Sequence, residues 1–279
     1  MSSRAAIRAD LPAKRVRLEK GQEPVPLDVL GAPLIFLAAV HGDPAGYERA
    51  WLFFDYVRPD FITVEISPFS VRYRQRAAPL WRRCWQKALR TLPPEASQKL
   101  AVARVAAQTA LPFEYQAARD WGRAYRVTVK LVDAGKVARC HLPRFRQELL
   151  SPENLRLLWE TGESGTLEKF VARQYRLARL AREGRLKRLP RAPDEEDRQR
   201  ERLWARRLAR LAAAGKKVVH LGGWEHLVPW EDGQGLTHLL GHLRPRLFLL
   251  DEAENLSARE KSGGGEGLDL HFQWSGERD

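Results

Sequence analysis

Three residues offer the clearest chemistry in this chain: His41, Glu65 and His226. An imidazole titrates near neutrality, so it can hold a divalent ion through a ring nitrogen or carry a proton to and from water. Two imidazoles and a carboxylate suit two mechanisms. As ligands of Mn, Co or Zn, His41, Glu65 and His226 leave a position for a water that the metal acidifies. Without metal, one group serves as general base while another protonates the leaving atom. Glu65 lies in the apolar run Phe61-Ile-Thr-Val-Glu-Ile66, where an unpaired carboxylate is costly, and Arg72 is its nearest basic partner in sequence. Gly222 and Gly223 precede His226 and let backbone approach a ligand, or turn N–H groups toward a developing oxyanion. Asp133 ends another apolar run. Glu114 opens a helix whose dipole favours a carboxylate. His238 and His242 share an i, i+4 spacing but lack a third ligand nearby, and read as structural. The chain has no phosphate-cradling glycine loop, serine elbow or CxxC pair.

The elements that must position these residues follow from the hydrophobic pattern. Leu34 to Val40 and Phe61 to Ile66 read as buried strands, and Val127 to Val132, Lys217 to Leu221 and Leu247 to Leu250 as three further strands. His41-Gly-Asp-Pro44 breaks the first strand and offers Asp43 as an N-cap before Pro44. The helix that follows carries Tyr47, Trp51, Leu52 and Tyr56 at helical spacing. Residues from about 70 to 124 are predicted helical with breaks at Pro93-Pro94 and Pro112, and 143–214 helical with a break at Pro190 to Pro193. Alternating strands and helices predict an α/β fold with a mixed or parallel sheet covered on both faces. In such sheets ligands bind beyond the carboxyl ends of the strands, where His41, Glu65, Asp133 and the Gly222–His226 loop all fall.

Two parts of the chain resemble each other. Each reads strand, His, helix, Arg-Pro, strand, acid. His41 to Glu65 spans 24 residues and His226 to Asp251 spans 25; Arg58 to Glu65 and Arg244 to Asp251 both span 7. This predicts two duplicated β-α-β halves, with His41 and His226 facing each other across the sheet.

Composition bounds the rest. A chain of 279 residues with 44% hydrophobic and 30% charged residues is globular. A single domain is expected over residues 25–255, with a helical insertion at about 143–214, a tail at 1–24 and a flexible Gly-rich end at 256–279. The two cysteines, Cys84 and Cys140, read as reduced. The segment Met1 to Lys20 lacks an apolar core for export, and the longest apolar run, Val29 to Val40, falls short of the roughly 20 residues a membrane span needs. A cytoplasmic protein is expected. The net charge is +13, of which residues 171–210 contribute +8, from 14 Lys/Arg against 6 Asp/Glu. These basic helices, 170–210, read as a solvated face or as the contact for an anionic partner such as nucleic acid or lipid.

Ala38-Ala-Val-His41, followed by Arg58-Pro-Asp-Phe-Ile-Thr-Val-Glu65 and Arg72, resembles the opening motif of the TraB/PrgY and Tiki proteins, relatives of the erythromycin esterases and of the haem-binding ChaN proteins. Phe113-Glu114-Tyr-Gln-Ala-Ala118 with Leu131-Val-Asp133 is similar to that family's central helix and strand, and Gly223-Trp-Glu-His226 to its second Gly-x-x-His motif. Position 38 is Ala where the family has Gly, and Ala-Gly follows Asp133 where Arg is common. The resemblance covers about residues 34–251 and implies an EreA/ChaN-like fold with its site between the halves. It raises Glu114 and Asp133 among the candidates. His41, Glu65, Glu114 and His226 are then catalytic, and Arg72, Asp133, Gly222 and Gly223 bind substrate. The expected activity is hydrolysis of a peptide or ester bond, with or without metal, on a small-molecule or peptide substrate. A non-catalytic ligand-binding protein, with haem as one ligand, and a nucleic-acid or anion binder are the alternatives; a homodimer is a further candidate assembly.

Overall fold

A computed structural model describes residues 32–256 except 187, 188, 190, 191, 231 and 232. The tails expected at 1–24 and beyond 256, and part of the break at Pro190 to Pro193, lie outside the described residues.

Five strands, β1 (Leu34–Ala39), β2 (Phe61–Val64), β3 (Thr128–Leu131), β4 (Val218–Gly223) and β5 (Arg246–Leu249), form one sheet in the order β3-β2-β4-β1-β5. Every pairing is parallel, so of the two expected sheet types the parallel one forms. The register sets Ala38 beside Gly222 and Ala39 beside Gly223. β1 and β4 are buried at all six positions, which requires cover on both faces. The chain leaves β1 across β4 to reach β2, and leaves β4 across β1 to reach β5. The central pair β1/β4 is thus where connections depart in opposite directions, the place where α/β sheets open a crevice.

The helices are α1 (Gly46–Val57), α2 (Pro68–Leu89), α3 (Leu100–Thr109), α4 (Phe113–Ala124), α5 (Lys136–His141), α6 (Phe145–Glu148), α7 (Pro152–Thr161), α8 (Leu167–Arg182), α9 (Glu195–Ala212), α10 (Trp224–Leu227) and α11 (Leu236–Leu239). Helices α1 and α4 pack together, with α4 against β2 and β3; α8 and α9 pack against β5 and β4. A smaller apolar cluster joins Trp81 of α2 to Val105, Leu142, Leu150 and Leu155, so the Trp81–Trp85 stretch contributes to packing. Among the described residues no helix is long and apolar enough to cross a membrane. Cys84 and Cys140 are free thiols.

Two expected details change. Helix α1 begins at Gly46, because Asp43 closes an i to i+2 turn onto the Ala45 N–H at 2.9 Å rather than capping the helix. Its buried stripe is Ala50, Phe53, Phe54 and Val57, the i, i+3, i+4, i+7 set, with Tyr47, Trp51 and Tyr56 at the margin and Leu52 exposed. His238 and His242 do not share a helix: α11 ends at Leu239 and a separate 3-10 turn, Gly241–Leu243, carries His242.

Arg58 and Arg244, each preceding a proline that opens the way to a strand, both adopt left-handed backbone, with φ of 50° and 49°. Arg58 has an ion pair with Asp55 and lies over the Tyr125 ring, whereas the exposed Arg244 ends the 3-10 turn. Left-handed backbone costs a side-chain-bearing residue roughly 1 kcal/mol. Arg244→Gly is therefore expected to raise the calorimetric Tm by about 2 °C; a lower Tm contradicts the assignment of strain at this turn.

Candidate active site

The carboxyl ends of β2, β4 and β1 bring Glu65, His226 and His41 into one electrostatic cluster. Glu65 follows β2, and its side chain is 5% exposed. Its Oε2 accepts the Gly223 N–H at 2.9 Å. Its Oε1 faces Nε2 of His220, a fully buried residue of β4, at 3.3 Å. His220 is the cross-strand neighbour of Thr63, whose hydroxyl lies 2.9 Å from the His220 Nδ1. The Thr63 hydroxyl also reaches the Val219 carbonyl at 3.4 Å, and Glu65 Oε1 and His220 Nε2 meet as an ion-pair approach without an aligned hydrogen bond. Burial works against the ionised form of Glu65, but His226, His220 and His41 outweigh it and hold the carboxyl down to about 2.

Each outer histidine is gripped at Nδ1 by a glutamate from a helix. His41 Nδ1 lies 2.6 Å from Oε1 of Glu114, buried in the first turn of α4. His226 Nδ1 lies 2.7 Å from Oε1 of Glu201, fully buried on α9. An acceptor at Nδ1 fixes the proton there and leaves Nε2 as the working nitrogen. The Trp204 ring stands edge-on to His226 at 5.1 Å between centroids and closes that side.

The two dyads differ. Desolvation opposes charge on His41, but Glu114, with Glu65 and Glu225, raises its imidazole to about 9, although the side chain is 66% exposed. The His226 side chain is 18% exposed; burial opposes its charge, and Glu65 and Glu201 raise its pKa. Burial pushes the Glu201 carboxyl up to about 7, against the pull of His226. The second dyad therefore gains or loses a proton near neutrality as a coupled unit.

The two glycines have a different task from the one expected. A Cβ on Gly222 would fall 2.0 Å from Glu65 Oε1, and one on Gly223 would fall 2.7 Å from His41 Nε2. They make room for the Glu65 and His41 side chains, and the Gly223 N–H is already given to Glu65. Arg72 does not partner Glu65; it is exposed on α2. One helical turn places Ser70 and Arg74 inward instead, and Arg74 Nε reaches Ser70 Oγ at 3.3 Å. Asp133 accepts the Gly135 N–H at 2.7 Å and pairs with Arg200 at 3.1 Å, which fixes the turn after β3 to α9. Asp251, the counterpart of Glu65 in the sequence comparison, pairs with Arg179 of α8.

Among the described residues no three His, Cys, Asp or Glu side chains form a group able to hold a metal ion. Glu65 is turned toward Gly223 and His220, and the glutamates at Nδ1 leave Nε2 of both outer imidazoles unengaged. The basic helices also spend charge internally, through Arg173–Glu163, Arg179–Asp251, Arg182–Glu252 and Arg200–Asp133. A groove of about 720 Å³ beside α9, lined by Arg202, Arg206, Leu239 and His242 among others, contains none of the site residues.

Glu201, His220 and Arg74 were not among the residues singled out from sequence. Glu201 had a legible signal, since it shares the i, i+3, i+7 stripe of Trp204 and Leu208, a carboxylate on the apolar face of an otherwise basic helix. His220 stands inside an apolar strand, as Glu65 does at the end of one. Arg74 carried no comparable mark.

Comparison with known protein families, curated proteins and solved structures finds no match to this chain.

Two outcomes follow from this geometry. Glu114→Gln removes the charge that raises His41, so its NMR-titrated pKa is expected to fall from about 9 to 6.5 or below; a value unchanged near 9 refutes the dyad. Gly222→Ala is expected to displace Glu65 and lower unfolding stability in urea by about 2 kcal/mol, and a neutral substitution there would contradict the packing described.

Proposed function

We propose that this protein is a hydrolase of the TraB/Tiki-like type that cleaves an ester or peptide bond by acid–base chemistry between two His–Glu dyads. The observation that carries this reading is the pair of imidazoles, each held at Nδ1 by a buried helix glutamate, clustered about one ionised carboxylate. Separated proton affinities assign the roles. In its neutral form His226, whose pKa Glu65 and Glu201 raise, takes the proton of a water through Nε2 as the oxygen attacks the carbonyl carbon, while Glu201 holds Nδ1. His41, cationic to about 9, stabilises the developing oxyanion and delivers its proton to the leaving oxygen or nitrogen. Glu65 stays ionised and holds both imidazoles in place by charge. In this reading the side chains and water carry every step.

An internal duplication supports a site between two halves, as the family resemblance implies. The β2-β4-β1-β5 order interleaves the two β-α-β units about the central pair. Both units turn into their second strand through a left-handed Arg before Pro, and each contributes the histidine of one dyad.

Hydrolysis of p-nitrophenyl acetate tests the proposal. We expect kcat/KM to rise with pH as the His226 imidazole, raised from its ordinary value, loses its proton, and to fall above about 9, where His41 is no longer an acid. His226→Ala and His41→Ala are each expected to lower it by about 10²–10⁴-fold, with EDTA without effect. Full activity in both variants sinks the proposal. Activity abolished by EDTA and restored by zinc instead reinstates the metal mechanism. A Soret band on haem addition that His41→Ala removes, with no hydrolysis, points to a ligand-binding role.

A further inference from the structure

We propose that Arg74 anchors an anionic oxyacid group of the substrate, a carboxylate or a phosphate, beside the His41–Glu114 dyad. This deepens the hydrolase reading and rests on it for the word substrate.

Arg74 projects from the second turn of α2, the helix that follows Glu65. Nε donates to Ser70 Oγ at 3.3 Å, and Nη1 donates to the carbonyls of Ala110, at 3.0 Å, and Gln108. Those carbonyls belong to the end of α3 and the link into α4, the helix that supplies Glu114. The same stretch borders the histidine loop, since a Cβ on Gly42 would meet the Ala107 side chain at 3.3 Å. The guanidinium lies 5.7 Å from the centre of the Phe145 ring, which holds its plane. Arg74 and the exposed edge of His41 therefore flank the same segment.

Arg74, close to the dyad, lacks a counter-charge among the described residues, a condition it shares, elsewhere in the fold, with the half-buried Arg207. Arg49, Arg179, Arg182 and Arg200 each reach a carboxylate within 3.1 Å. Arg74 forms no such pair among the described residues, although it is half-buried. The one carboxylate whose charge it feels is Glu114, already engaged by His41. Burial accordingly holds the Arg74 pKa down to about 10, with Glu114 pulling against it. Capping α3 explains Nη1. It leaves Nη2 with no partner among the described residues. A planar oxyacid meeting that free edge would pair with the guanidinium through charge-assisted hydrogen bonds.

The test compares p-nitrophenyl acetate with mono-p-nitrophenyl succinate, which presents the same leaving group with a carboxylate. Wild-type protein is expected to favour the succinate ester in kcat/KM by about tenfold or more, the gain of one charge-assisted hydrogen bond. Arg74→Gln is expected to collapse that ratio, and Arg74→Lys, which keeps charge without the fork, to retain part of it. A second arm needs no turnover: succinate and inorganic phosphate are each expected to raise the Tm of wild type and not of Arg74→Gln, and the larger shift identifies which oxyacid is preferred. Hydrolysis that depends on His226 but shows no preference for the anionic ester overturns the anchor and leaves the hydrolase reading standing. Anion-dependent stabilisation lost in Arg74→Gln, with neither ester cleaved, keeps the anchor and removes the hydrolase. A ratio unchanged in Arg74→Gln also overturns the anchor. Should the Gln variant fail to fold, a ratio unchanged in Arg74→Lys overturns it equally.

Discussion

The ionised Glu65 carboxylate is the interaction on which the site depends. A charge that is nearly out of water needs compensation from every side, and this one obtains it from a backbone N–H, a buried imidazole and the fields of two more. Each of those requirements reaches back into the sheet. The N–H belongs to a β4 residue that must be glycine so that the His41 ring can lie over it. The buried imidazole belongs to β4 directly opposite Thr63 of β2. The parallel register of β2, β4 and β1 thus fixes the relative positions of Glu65, His220 and His41 before any loop is considered.

The two dyads show how similar parts can acquire different proton affinities. Both pair Nδ1 with a helix glutamate at nearly the same distance. The difference comes from surroundings. His41 is open on one side and has Glu65, Glu114 and Glu225 around it, all favouring its charge. His226 is enclosed by Trp204, and its glutamate is the more deeply buried of the two, so desolvation raises the carboxyl and the proton is shared. Environment, more than residue type, divides acid from base.

Much of this was legible in the chain itself. Short runs rich in apolar residues marked all five strands, most clearly β1, which is apolar at every position, while β2 and β4 carry the buried polar Thr63 and His220 within theirs. His41, Glu65 and His226 stood out because polar residues at the ends of buried strands need partners. The partners themselves were harder to find. A helix places side chains at 100° intervals, so a shift of two residues exchanges Arg72 for Arg74, and nothing in local sequence sets the rotation of α2 against its neighbours. Glu201 was masked by charge: in a segment with so many arginines, one more acidic residue reads as surface balance until the apolar stripe is drawn through it. The glycines were noticed correctly but for the wrong recipient, since close approach of a ligand and close approach of a neighbouring side chain leave the same trace in sequence.

Each dyad takes its histidine from just beyond the carboxyl end of a central strand, β1 or β4, and its glutamate from a helix inserted between strands, α4 in one case and α9 in the other. The sheet alone therefore carries loose imidazoles with ordinary chemistry. Only when both inserted segments have docked do the rings acquire fixed tautomers and altered proton affinities. Release of either segment returns its histidine to the behaviour of an ordinary imidazole.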